Sequence, residues 1–353
     1  PPEPIFDDGI HDTNCRDYEI LSQESLFLGY DTDHDKEYHK KHIHFNMQSH
    51  RLYKTILSFL KENNIKNVGL SLSGGVDSNV LLYILCHIKT WTDYELHVTA
   101  IHIDYGNRVE SMVEAQYLAS ICHRYGVSFV MRRIEHLRRD DSFDGLTRAF
   151  YEEHTRNIRF GMYAFATKSW NLDGIFLGHH KGDRIENVMM NLLRGKDLLD
   201  LFVMSSMVIN DNIRICRPMI EHMKDDIYDV AHKYGILYFK DTTPDWSLRA
   251  LMRQKLFPAI EAFDKSMIEN IHEAGVRSDE WKNVIENSVL QPMTKTVKSG
   301  SGGFSVEIMQ GFLTFPTVLW SRLLATMFHS QGTNMISHKN LITFVDWVRG
   351  STG

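Results

Sequence analysis

Two short runs of the 353-residue chain gather groups able to do chemistry. The first is Ser71-Leu72-Ser73-Gly74-Gly75-Val76-Asp77-Ser78. Paired glycines let backbone amides approach an anion closely, and the start of a following helix adds a positive end. Ser73 and Ser78 supply hydroxyl donors, and the Asp77 carboxylate suits a magnesium ion beside phosphates. The run is neither a Walker A loop, since no Gly-Lys-Ser/Thr follows, nor Gly-x-Gly-x-x-Gly. An ordinary strand-to-helix turn with a serine cap is the plainer alternative. The second run is Leu177-Gly178-His179-His180-Lys181-Gly182-Asp183-Arg184-Ile185-Glu186, which continues to Arg194-Gly195. Asp183 and Glu186 stand three apart at a helix start, so both carboxylates face one way and could receive an ammonium or take its proton. A two-histidine metal site competes with that reading, although adjacent histidines rarely ligate one ion and no third ligand stands nearby.

Arginines recur at helical spacing elsewhere. Arg156 and Arg159, followed by Phe160, share a helix face and could grip one phosphate. Arg249 and Arg253, with Lys255 beside them, repeat the pattern at four-residue spacing, which suits a nucleic-acid backbone. Solvated basic faces are the plainer alternative for both.

The first run resembles the signature of PP-loop ATP pyrophosphatases, which cleave ATP between its α- and β-phosphates and pass AMP to a carbonyl oxygen. The resemblance implies that Ser73, Gly74, Gly75, Val76, Asp77 and Ser78 hold the pyrophosphate, with Asp77 toward Mg2+. Within that superfamily, further motifs resemble the tRNA(Ile)-lysidine synthases. Ala100-Ile-His-Ile-Asp-Tyr-Gly-Asn-Arg108 is similar to their second-strand motif, which makes Ile101, His102, Ile103 and, after the later strand, Gly178 expected adenosine neighbours. The second run is similar to their His-His-x-Asp-Asp-Gln-x-Glu-Thr pattern. Gly182 stands in place of the first Asp, Arg184 of the Gln and Asn187 of the Thr. Arg217-Pro218-Met-Ile and the stretch from Asp241 to Pro258 match further motifs, although Ala250 replaces an Asn and Thr242-Thr243-Pro244 diverges. The family implies ATP-dependent replacement of the C2 oxygen of the wobble cytidine (cytidine 34 of a tRNA anticodon loop) by the ε-amine of free L-lysine. It assigns binding and deprotonation of the amine to Asp183 with Glu186 or His179, and tRNA contacts to Arg108, Arg156, Arg159, Arg194, Arg217, Arg249, Arg253 and Lys255. A homodimer is expected by the same likeness. Another PP-loop enzyme (a tRNA thiolase or an amide-forming ligase) and a non-catalytic RNA-binding scaffold are the rival readings.

These groups need a scaffold. Short apolar strands at Asn67–Leu72, His97–Ile103, Ser128–Arg132 and Gly174–Leu177 alternate with helical patterns, which predicts a parallel sheet with helices on both faces. The helices are read at 42–63, from Val80, at 112–125, 147–168, 184–193 and 224–234. Ile236–Phe239 reads as a last strand, and Lys298-Ser-Gly-Ser-Gly-Gly303 as a linker or loop. Helical spacing at 317–328 and 340–348 follows. The expected organisation is an α/β PP-loop domain (adenine nucleotide alpha hydrolase-like) over 41–258, then a small helical tRNA-binding domain over 259–353. Residues 1–40 carry eleven acids against three bases, a charge of −8 within a total of −6, so the remainder is +2. That segment reads as a solvated extension or a docking arm for a protein partner. No run approaches the roughly 18 apolar residues of a membrane helix. The acidic, Pro-rich start lacks the order of a secretory signal. The first residue is Pro1, which points to trimming, processing or a larger parent. Four scattered cysteines fit a reducing compartment, the cytoplasm or an organelle.

Overall fold

The structure, a computed structural model, describes residues 10–12, 47–106, 111–134, 148–239, 247–300, 303–308, 310–330, 332 and 335–350. Two compact units emerge, one of residues 1–187 and 203–268, the other of 188–202 and 269–353.

The first unit is built on a seven-stranded sheet. Its strands are β1 (Ile10–Asp12), β2 (Asn67–Ser71), β3 (His97–Asp104), β4 (Ser128–Arg133), β5 (Gly174–Phe176), β6 (Met207–Asn210) and β7 (Ile213–Cys216), in the order β1-β4-β3-β2-β5-β7-β6. β4, β3, β2, β5 and β7 run parallel, and β1 and β6 pair antiparallel at the two edges. The central strands are buried on both faces, which is why Val68, Leu70, Val98, Ala100 and Ile175 form near-continuous apolar runs. The crossovers are α1 (Arg51–Glu62, which leads into β2), α2 (Val76–Trp91), α3 (Ser111–Arg124), α4 (Arg148–Trp170) and α5 (Lys181–Leu193). α6 (Lys224–Lys233) follows the sheet, and α7 (Leu248–Leu251) runs through a π-turn at Met252–Leu256 into α8 (Phe257–Phe263).

After β2 the chain crosses to one side of the sheet, through β3 and β4. It then returns to β5 on the other side of β2. The strand order therefore reverses between β2 and β5. A crevice opens at the carboxyl ends of such strands, and ligands of open parallel sheets bind there.

The second unit holds α9 (Ser266–Ile285), α10 (Gln291–Thr294), a β8–β9 hairpin (Lys298–Gly300 with Gly303–Ser305), α11 (Thr317–Ser330) and α12 (His338–Gly350). Its own core gathers Leu290, Met293, Phe312, Trp320, Leu323, Leu341 and Val345.

Three expectations change. Ile236–Phe239 forms no strand; the Phe239 N–H instead donates to the Gly74 carbonyl at 2.9 Å, so the run braces the first loop. The last parallel strand is β7, delivered by the β6–β7 hairpin. Of the linker-or-loop reading at 298–303 the linker half falls, because Lys298–Gly300 pairs with Gly303–Ser305 in a hairpin. Of the N-terminal segment, only Ile10–Asp12 is described, as an edge strand on β4. No helix among the described residues is long and apolar enough to cross a membrane.

Candidate active site

The Ser71–Ser78 run leaves β2 at the point of strand reversal and becomes the start of α2. Gly74 adopts φ +85°, open to glycine at little cost, and a Cβ there would strike the Phe239 ring. Gly75 is the N-cap, and no side chain caps the helix, so the helix start has the chemistry to receive an anion. Ser78 is turned inward: its hydroxyl donates to the Gly75 carbonyl at 3.1 Å and accepts the Ser73 N–H at 3.2 Å. Ser73 is the exposed hydroxyl. Asn79, unremarked in the sequence, donates to the carbonyls of Gly74 and Leu237 at 3.2 and 2.9 Å. The loop backbone is thus braced from behind, and the glycines, helix start and Ser73 hydroxyl fit a phosphate group by their chemistry.

Asp77 is paired. The Lys224 ammonium, at the first position of α6, donates to both its carboxylate oxygens at 2.6 and 2.7 Å. As a magnesium ligand Asp77 would supply one carboxylate oxygen in competition with Lys224, with phosphate oxygens and water completing the shell. Lys224 escaped the sequence reading because nothing in its spacing links it to residue 77.

The second run leaves β5 beside the first. Gly178 makes that approach feasible, since a Cβ there would lie 3.0 Å from Asp77 Cβ and 3.1 Å from the Ser78 nitrogen. Asp183 and Glu186, on one face of α5, are 8% and 3% exposed. Arg253 meets both: its Nη2 donates to Asp183 Oδ1 at 3.3 Å and to Glu186 Oε2 at 3.2 Å, and its Nε donates to Glu186 Oε1. The π-turn carries Arg253, expected to contact tRNA, onto two carboxylates whose burial demands a cation, while the residue stays exposed on its other side. Asp183 ionises more readily than an ordinary carboxyl. Burial pushes it up, but His180, the His180 amide, His179 and Arg253 outweigh that.

His179 behaves differently from expectation. Burial depresses its pKa, opposed by Asp183 and aided by Arg217, Arg249 and Arg159, to about 4. Its Nδ1 accepts from Arg217 Nε at 3.2 Å. The neutral ring therefore carries its proton on Nε2 and is a hydrogen-bond donor, with no free lone pair to serve as a base. Arg217 is likewise a partner of His179 and of the Ser205 carbonyl rather than a solvent-facing arginine.

The adenosine expectations divide. The Ile101 side chain lies in the core at 1% exposure, and the His102 side chain, at 6%, bonds the Leu72 carbonyl through Nδ1 at 2.8 Å. Both are architectural; Ile103 is half-buried. Of the remaining basic residues, Arg159 is half-buried, whereas Arg156 is exposed with its guanidinium 5.5 Å from the Phe160 ring centre. Arg249 is half-buried, Lys255 exposed, and Arg194 an exposed residue of the second unit. Arg108 and Thr242-Thr243-Pro244 lie outside the described residues.

Residues 48–260 match the family model of a PP-loop domain. The tRNA(Ile)-lysidine synthase of Chlamydia muridarum is 30% identical over 252 residues, 69% of this chain and 75% of that protein. Its counterpart in Chlamydia trachomatis serovar A is 29% identical over 250 residues, 70% and 74% of the two chains. Among solved structures, the U34-tRNA thiolase NcsA of Methanococcus maripaludis superposes with a TM-score of 0.50 at 19% identity, over 69% of this chain and 81% of that one, a likeness of fold. A PP-loop domain spanning more than half of the chain, together with 30% identity to a relative matched over three quarters of its length, makes this chain a member of the tRNA(Ile)-lysidine synthase family of PP-loop proteins.

Proposed function

We propose that the chain modifies the wobble cytidine of a tRNA in two steps, adenylation of its C2 carbonyl by ATP and displacement of AMP by the ε-amine of free lysine. One observation carries this reading. The anion-binding loop after β2 and the carboxylate pair after β5 meet at the strand reversal, with His180 Nε2 3.9 Å from Asp77 Oδ1 and 3.6 Å from Asp183 Oδ2. Phosphate chemistry and amine chemistry thus share one crevice.

The steps follow from the groups. A pyrimidine carbonyl oxygen leaves poorly. Its attack on the α-phosphorus of ATP expels pyrophosphate and turns it into an adenylate. The loop amides, Ser73 and Lys224 would offset the developing phosphate charge. The amine then attacks C2, and AMP departs with the oxygen. Lysine's ammonium has a pKa of about 10.4 and must first lose a proton. Asp183 and Glu186 are the acceptors, because His179 is bound through Nδ1. His179 Nε2–H, with Arg159, Arg217 and Arg249 around the ring, suits donation to anionic oxygen. Arg156, Arg194, Arg253 and Lys255 are the exposed cations among the expected tRNA contacts, Arg253 also holding the carboxylate pair. Among the described residues nothing favours sulfur transfer: Cys86, Cys122 and Cys216 are buried, and burial pushes each thiol well above its ordinary range, while Cys15 lies outside the described residues.

The test is mass spectrometry of a cytidine-34 tRNA after incubation with the chain, ATP and lysine. A gain equal to lysine less water on that nucleotide is expected. Pyrophosphate release without any lysine adduct would overturn the reading.

A further inference from the structure

Gly182 is a position where the chain leaves the motif that its family resemblance supplies, a glycine in place of an aspartate. The structure shows what occupies the vacated space. A Cβ at 182 would lie 2.8 Å from His180 Cε1 and 3.0 Å from His180 Nδ1. The imidazole folds back over the start of α5, and its Nδ1 accepts the Gly182 N–H at 3.0 Å. A ring nitrogen that accepts carries no proton, so the N–H is on Nε2. Nε2 points between two carboxylates from different elements, Asp77 of α2 at 3.9 Å and Asp183 of α5 at 3.6 Å. The ring is 5% exposed, so little water screens this arrangement. The same residue's backbone N–H donates to Asp183 Oδ2 at 3.0 Å.

We propose that His180 is a positioning residue that fixes Asp183 for the incoming amine and ties it to the phosphate-side carboxylate Asp77, and that Gly182 is the seat this requires. The proposal rests on the lysine-transfer reading above. The His180 amide holds Asp183 Oδ2 and the ring Nε2 faces the same oxygen at 3.6 Å, while Arg253 holds Oδ1. The acceptor is thereby preorganised before lysine arrives, which matters because a misplaced acceptor loses much of its effect. Asp77 faces His180 on one side and Lys224 on the other. The imidazole therefore stands where the first half-reaction borders the second.

The experiment uses the full chain and separates three readouts: melting temperature, tRNA-dependent pyrophosphate release and the KM for lysine. Gly182→Ala favours the helix, so the fold should be retained or strengthened. Its methyl group nevertheless displaces the ring. The expected result is an unchanged or higher melting temperature, pyrophosphate release within about two-fold of wild type, and a lysine KM raised about ten-fold or more. His180→Asn keeps an acceptor near the Nδ1 position and loses Nε2–H, so it should reproduce the KM rise. His180→Gln, whose amide reaches the Nε2 position, should recover part of it. A wild-type KM in both Gly182→Ala and His180→Asn overturns the proposal; so does a proportional loss of every activity together with melting temperature. Nitrogen-15 NMR of the histidine rings without substrates decides the seat independently of turnover. Wild type should show His180 protonated at Nε2 and Gly182→Ala a changed signature. Identical signatures would remove Gly182 from the argument. If wild type forms no lysine adduct, the lysine-transfer reading fails, and the ring signatures still decide the seat.

Discussion

At neutral pH the His179 ring is uncharged, because its burial, reinforced by Arg217, Arg249 and Arg159, outweighs the pull of Asp183 and holds its pKa at about 4. In the unfolded chain the same ring titrates near 6.5. The folded value is the lower one, so between these limits the unfolded chain binds the extra proton. Stability supplied by His179 is then complete above about pH 6.5 and falls as the pH drops toward 4. From pH 7 to pH 5 the loss should be about 2 kcal/mol. His102 and His222, whose burial also lowers their pKa, add losses of the same sign. The His179 share is isolated by comparing urea midpoints at the two pH values in wild type and His179→Gln, where the pH-dependent difference should shrink; equal differences would mean that the ring is solvated. Lys224 offers a second test at this scale. The Lys224–Asp77 pair is about one third exposed on each side, so Lys224→Ala should change stability by no more than about 1 kcal/mol. Pyrophosphate release should nevertheless fall on the order of a hundred-fold, the usual cost of losing a donor to transition-state charge. Loss of stability without loss of pyrophosphate release would confine Lys224 to the fold.

At the level of elements, the β6–β7 hairpin determines where Arg217 stands. β7 ends at Cys216, whose carbonyl accepts the Leu177 N–H at 2.9 Å, and the next residue reaches His179. The hairpin turns on Asp211 and Asn212, with φ +48° and +62°, the two left-handed positions of a type I′ turn. Asn212→Val places a β-branched residue in that region and should cost about 1–2 kcal/mol, whereas Asn212→Gly should match or exceed wild type. Thermal unfolding of the three proteins measures it, and a Val variant as stable as wild type would argue against the turn. Parts of this element were legible: Val208-Ile209-Asn210 and Ile213-Arg214-Ile215 flank an Asp-Asn pair, a recognisable hairpin signal. The signal is weak because β6 has only four residues and no buried face, so no alternation marks it. The strands β2, β3, β4 and β5 were readable for the opposite reason. Burial on both faces gives them unbroken apolar runs between turn residues. Ile236–Phe239 is similarly apolar and forms no strand; its backbone is bonded to Ala231, Asn79 and Gly74 instead of to a neighbouring strand.

For the molecule as a whole, the sequence revealed which motifs existed but not which of them meet. Asp77 and Lys224 are 147 residues apart, and Glu186 and Arg253 are 67 apart. No local periodicity encodes such pairs; they follow from the return of β5 to the far side of β2. The Gly-Gly loop and the Asp183–Glu186 pair could be read because each is local, whereas the cations that neutralise them are supplied by distant elements. The division into two units carries its own prediction. The second unit has a separate core in which Trp320 is 1% exposed and packs edge-on against Phe312 and Phe344. Trp320→Ala removes the largest buried side chain there and should cost that unit about 3–5 kcal/mol. If the second unit contributes to tRNA binding and the first unit holds the loop, the two functions should separate in this variant. Hydrogen exchange should accelerate in α11 and α12 and stay slow in β2, β3 and α2. tRNA affinity should drop, while ATP binding to the first unit should stay within about two-fold of wild type. Exchange that accelerates equally in both units, with ATP binding lost alongside, would show that the second core supports the loop and that the division of labour is wrong.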